Sequence, residues 1–183
     1  MVPLVRRATV PFRYLRRLPR GSDRSIGAGY AMALAATAAT MLYFLVQAVG
    51  TLLLSVSLGS SSTGAFLGVA VIAFVSGVLS IAGAVAPIAF VAGVVSWRVV
   101  PETASYSGGL GGLLATILVY LGAGAIWVSG AALFAALTGG AVVTAVVSGV
   151  LVVGFALVFT CWLTFPVGVL TGILYERSRT LDD

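Results

Sequence analysis

Few side chains in this sequence could do chemistry, and most of those that could are arginines. The 183 residues carry ten basic groups, all arginine, with five acids, no histidine and one cysteine. Arg13, Arg16, Arg17 and Arg20 fall on one face of Pro11–Arg20 if that stretch is helical, with Phe12, Tyr14, Leu15 and Leu18 on the other. Guanidinium groups backed by an apolar face suit the phosphates of an anionic leaflet. An irregular tail whose arginines only set orientation across the membrane explains the same residues.

The second candidate is a polar stripe. Thr37, Thr40, Gln47, Thr51 and Ser55 share one narrow face at the helical step of about 100° per residue, within a run that is otherwise apolar. Gln47 sits near the middle of that run, where an unpaired amide is costly. It is therefore expected to face protein rather than lipid, with Ser76/Ser80 or Thr116/Tyr120 as partners. An interhelical hydrogen bond is the plain reading; a polar lining for a solute path is the sharper one.

Several chemistries are excluded. Without histidine there is no Ser–His catalysis, no His-held zinc and no His-ligated haem. Cys161 lies in an apolar run and has no partner for an intrachain disulfide. The long apolar stretches hold no carboxylate, so the usual intramembrane proton relay is missing. Gly108-Gly109-Leu110-Gly111-Gly112 lacks the G-x-G-x-x-G spacing and a preceding strand, so it reads as helix contact rather than a nucleotide loop. The sequence points to no enzyme and no cofactor.

The elements that must position these residues are membrane spans. The chain is 60% hydrophobic and 8% charged, far from the quarter or so of charged residues in a soluble domain. A span needs about 20 apolar residues. Four stretches qualify, at about 26–58, 65–97, 108–137 and 141–175. The expected fold is all-α: four transmembrane helices forming two helical hairpins in a compact bundle. Residues 1–24 form an Arg-rich cytoplasmic tail, and residues 25–183 form the four-span membrane domain with a short cytoplasmic C-terminal tail of mixed charge, Glu176, Arg177, Arg179, Asp182 and Asp183. Arginines stay on the cytoplasmic side, so four spans keep all ten inside and place both termini in the cytoplasm. The net charge of +5 is explained as this orienting signal and calls for no nucleic acid.

Finer features are also legible. Pro87 is expected to bend the second span and free the Gly83 carbonyl. Gly109, Gly112, Thr116, Tyr120 and Trp127 share a face of the third span. Thr160, Thr164 and Thr171 form a stripe on the fourth, beside Gly168 and Gly172 in a G-x-x-x-G pattern. Val75-Ser76-Gly77-Val78-Leu79 recurs as Val147-Ser148-Gly149-Val150-Leu151, which suggests a duplicated hairpin. The function expected is non-catalytic: an accessory or structural subunit, or a membrane anchor, of a larger complex in the cell membrane. The alternative is an oligomeric channel or facilitator for a small neutral solute. The partners expected are the lipid bilayer, other membrane subunits or further copies of the chain.

Overall fold

The computed structural model describes residues 18–57, 63–101 and 106–180. Arg13, Arg16 and Arg17 lie outside them. Among the described residues the regular structure is entirely helical. Helix α1 spans Arg24–Ser57. Helix α2 (Thr63–Gly77) runs through one π turn (Val78–Ala82) into α3 (Gly83–Val99). Helices α4 (Ser107–Leu137) and α5 (Val142–Thr180) complete the chain. Four stretches, Arg24–Leu54, Phe74–Val99, Ser107–Leu137 and Val142–Arg179, are each long and apolar enough to cross a membrane, as in a multi-pass helical membrane protein.

Local chemistry sets the helix ends. Asp23 caps α1: its Oδ1 accepts from the Ser25 amide and the Ser25 hydroxyl, both at 3.0 Å, which satisfies one of the orphan donors of the first turn. The Ser25 hydroxyl and amide bonds, with a weaker pull from the Arg98 charge, hold the Asp23 carboxyl below its ordinary pKa. The cap's contribution is therefore complete above the unfolded carboxylate range and fades as pH falls through the lowered pKa. Acidification below about pH 4, or Asp23→Ala at neutral pH, should lower the amide protection factors at Ser25–Gly27 and leave those in the middle of α1 unchanged. At the other end, Gly139 adopts φ +72° and the Gly140 amide reaches back to the Ala135 carbonyl at 2.7 Å. That Schellman pattern stops α4 and turns the chain into α5.

The core is built from small residues and sits at one end. Ala28, Ala31, Met32, Trp97, Ala115 and Tyr175 form one buried cluster, with Ala35, Ala39, Ala89, Ala92 and Leu163 also buried. Small side chains let helix backbones approach closely, which drives association where lipid is as apolar as the helix surface. Large apolar residues such as Leu45, Leu53, Leu121, Ile126, Phe155 and Val158 are exposed, as lipid-facing positions should be. The expected compact bundle holds only near Arg24. In the most apolar stretch of α4 no residue is buried.

Neighbouring helices run antiparallel. Gly29 meets Phe90 and Val94, and Gly77 meets Phe44, so α1 lies along α3 and the π turn. Gly108 meets Gly172 and Gly124 meets Val153, so α4 lies along α5. Gly111 against Trp97 and Gly122 against Ile88 join α3 to α4. The repeated pentapeptide does not carry a repeated pairing. The offset that takes Gly77 to Gly149 takes Phe44 to Thr116, yet Gly149 packs on Val128, about three turns further along α4.

Candidate functional site

The polar groups converge at the Arg24 end of the helices. Arg24 opens α1 and turns its guanidinium inward, where the side chain is 10% exposed. Its Nη1 donates to the Trp97 and Val100 carbonyls at 3.3 and 3.2 Å, which caps the C-terminal turn of α3. A cation at that position also complements the helix dipole. Its Nη2 pairs with Glu176 Oε1 on α5 at 3.3 Å. Glu176 also accepts from Trp97 Nε1 at 3.3 Å and from the Ser107 hydroxyl at 3.4 Å. The Tyr175 hydroxyl donates to the Arg24 carbonyl at 2.9 Å, and the Tyr175 and Trp97 rings meet edge to face at 5.9 Å.

This clasp ties α1, α3, α4 and α5 together through one guanidinium and one carboxylate. Its chemistry is the pairing of one cation with one anion inside a set of hydrogen bonds. A charge taken out of water is tolerated when it is paired and hydrogen-bonded, and both Glu176 oxygens already accept bonds. The sequence reading grouped Arg24 with the orienting arginines of the tail and Glu176 with the polar C-terminal residues. The signal available was Arg24's place at the boundary of the first span, with Glu176 at the end of the last.

A glycine seam continues from the clasp. A Cβ on Gly112 would collide with the Gly168 carbonyl, and one on Gly172 with the Gly108 carbonyl. Gly168 has the same relation to the Thr116 hydroxyl. The expected Gly168/Gly172 contact is therefore made, and its counterpart on α4 is Gly108 and Gly112. A Cβ on Gly109 would instead make ordinary contact with Ile173, 3.7 Å from its Cγ1, and Trp127 is exposed.

One turn beyond Thr116, the Tyr120 hydroxyl lies between two threonines of α5. It is within hydrogen-bond distance of Thr160 Oγ1 and 2.7 Å from Thr164 Oγ1. Each threonine also donates within its own helix, Thr160 to the Ala156 carbonyl at 2.7 Å and Thr164 to the Thr160 carbonyl at 3.0 Å. Phe165 stacks on the Tyr120 ring at 6.1 Å. Three hydroxyl protons face four contacts, so the cluster shares them. Tyr120→Phe keeps the stack and removes the shared hydroxyl. At roughly 0.6 kcal/mol per interhelical bond, it should lower stability by about 1 kcal/mol in a detergent unfolding titration.

The stripe on α1 bonds within its own helix. Thr37, Thr40 and Thr51 donate to the Ala33, Ala36 and Gln47 carbonyls at 2.9, 2.8 and 2.8 Å. Gln47 is exposed, and its Nε2 donates to the Tyr43 hydroxyl one turn back at 3.1 Å. Ser76 donates to the Ile72 carbonyl, and Tyr120 is engaged with α5. The Ser55 side chain is outside the described set. Arg20 is exposed, with φ +56°, in the turn before α1.

Among the described residues no three His, Cys, Asp or Glu side chains come together. Cys161 donates to the Val158 carbonyl at 3.4 Å. Compared with protein-family models, characterised proteins and solved structures, the chain matches none of them.

Proposed function

We propose that the chain is a non-catalytic integral membrane protein, an accessory or structural subunit or an anchor within a larger complex of the cell membrane. The observation that carries this reading is the disposition of its polar groups. Arg24, Glu176, Trp97, Ser107 and Tyr175 bond one another, and the threonines of α1 and α5 bond their own helices or Tyr120. Chemistry on a bound substrate needs groups aimed at an empty place; these groups are aimed at each other. Beyond the clasp the helices present long apolar faces with little of the chain against them. Such faces suit lipid and the helices of another membrane protein.

In this reading α1 pairs with the α2–α3 rod, and α4 with α5, as two hairpins with both termini in the cytoplasm. Reporters fused after Asp183 and inserted at 102–105 should both read as cytoplasmic, and a probe at 59–62 should read as external. An external C-terminus would refute the arrangement. The function itself is tested by gentle co-purification of the full chain from its native membrane. A stoichiometric membrane partner is the expected result. Recovery of the chain alone, together with solute flux in liposomes that is lost in Gln47→Leu, would replace the subunit reading with the channel.

A further inference from the structure

The structure holds two helix pairs of different character. Along α4 and α5 the contacts persist far from the clasp: Gly108 on Gly172, Gly112 on Gly168, Tyr120 between Thr160 and Thr164, Gly124 on Val153 and Gly149 on Val128. Along α1 the close contacts with α3 run from Gly29 and Gly93 to the Gly77–Phe44 contact. Beyond it, a Cβ on Gly50 or Gly68 would meet nothing within 4 Å. Helix α2 packs against α1, and no comparable packing joins it to α4 or α5 among the described residues.

The level at which the first pair loses its neighbours is also where both of its rods are weakened. The α2–α3 rod changes there to a π turn, Val78–Ala82, and the Gly83 amide is shared between the Leu79 and Ser80 carbonyls. Pro87 follows one turn later and supplies no amide hydrogen for the Gly83 carbonyl. A π turn and a proline are among the few recognised causes of a bend in a helix. Across from it on α1, Thr37 and Thr40 donate to carbonyls four residues back, a back-bond that weakens and bends helices; α5 carries the same bonds at Thr160 and Thr164 and has Pro166, but there α4 packs against it through Tyr120 and Gly112. The register set by Gly29–Phe90 and Gly77–Phe44 brings Thr37–Thr40 opposite the π turn and Gly83.

The geometry points to a hinge at this level: the halves of α1 and α2 remote from the clasp form one arm that swings relative to the α4–α5 pair. The clasp and the glycine contacts hold the other half rigid. Hinges absorb their motion at a few element-terminal residues, and the π turn sits between two helix termini. The threonine stripe on α1 then has a role in bending rather than in lining a path. The hinge stands whether the chain serves as a subunit or as a channel.

Spin labels on the full chain in liposomes, in a Cys161→Ala background, test it. One pair, Val71→Cys with Leu133→Cys, reports the arm against α4. A second, Val91→Cys with Leu110→Cys, reports the clasp half. A third, Phe134→Cys with Val147→Cys, reports the far end of the α4–α5 pair. All six positions are exposed. The arm pair should show a distance distribution roughly twofold broader than the other two, as hinge motion requires. Thr37→Val, Thr40→Val and Pro87→Ala together should narrow it. An arm distribution as narrow as that of the clasp pair in the otherwise native chain overturns the hinge. So does a far-end α4–α5 pair that is equally broad, since fraying of all the helices would then explain the width. A broad arm that the three substitutions leave unchanged removes the hinge from these residues.

Discussion

Gly172→Ala should be among the most damaging single-methyl changes available in this chain, costing about 3 kcal/mol. The added Cβ would collide with the Gly108 carbonyl oxygen and lie 3.0 Å from the Gly108 carbonyl carbon and the Gly112 amide nitrogen. All three are backbone atoms of α4, so no side chain can rotate away. Relief requires moving α4 from α5, which also opens the Gly112–Gly168 approach and strains the Tyr120 cluster. Two glycines of the same helices provide the contrast. Gly109→Ala meets Ile173 at ordinary contact distance, and Gly154→Ala meets nothing within 4 Å. Both should be neutral, or stabilising by up to about 1 kcal/mol through helix propensity. Unfolding in mixed micelles, run on the three variants together, checks the ordering. Equal stability for Gly172→Ala and Gly154→Ala would show that the α4–α5 seam is not close-packed.

The second large effect belongs to the clasp. Arg24→Met leaves Glu176, 24% exposed, without its cation, and leaves the Trp97 and Val100 carbonyls without Arg24 as donor. Removing one partner of a largely buried pair costs about 3 kcal/mol or more. Glu176→Gln is milder, because an amide oxygen in the Oε1 place still accepts from Arg24 and Ser107, and only the bond from Trp97 Nε1 is lost to the donor-only NH2. The double variant Arg24→Met/Glu176→Met should be less damaging than the sum of its single changes, by 1 kcal/mol or more, as contacting charges are coupled. Strict additivity would mean that the pair contributes nothing to holding the helices together. Spin-label distances between α1 and α5 near Tyr175 should lengthen in Arg24→Met and recover partly in Arg24→Lys, which restores the charge but not the forked geometry.

The class of the fold was legible because four stretches of this chain are long and apolar enough to cross a membrane. Backbone groups in hydrocarbon must be satisfied within the segment, so a run such as Ile26–Ser57 has little choice but helix. The four helices follow from the spacing of Gly, Ser and Thr turns and of Arg98. The Gly168/Gly172 contact was also readable, since two glycines four apart lie on one face of a helix. Composition likewise made large Val, Leu and Phe side chains the lipid-facing ones.

What only the tertiary structure decided concerns partners across helices. Periodicity places Gly109, Gly112, Thr116, Tyr120 and Trp127 on one face; the azimuth of α4 against α5 keeps Gly112, Thr116 and Tyr120 at the contact, adds Gly108, and leaves Gly109 at ordinary contact distance and Trp127 exposed. Gln47 was expected to reach another helix because its place in the sequence suggested a position in the core. The small-residue core instead ends before Gln47, and Tyr43, one turn back, satisfies its amide on the surface. Pro87 foretold a weak point, but the wide turn itself lies upstream, at Val78–Ala82, where α1 and its threonines run alongside. Arg24 and Glu176 stand at opposite ends of the membrane domain in sequence and touch in space. A charge beside a span reads as an orienting signal by position alone; folding the last helix back along the first makes it half of an ion pair.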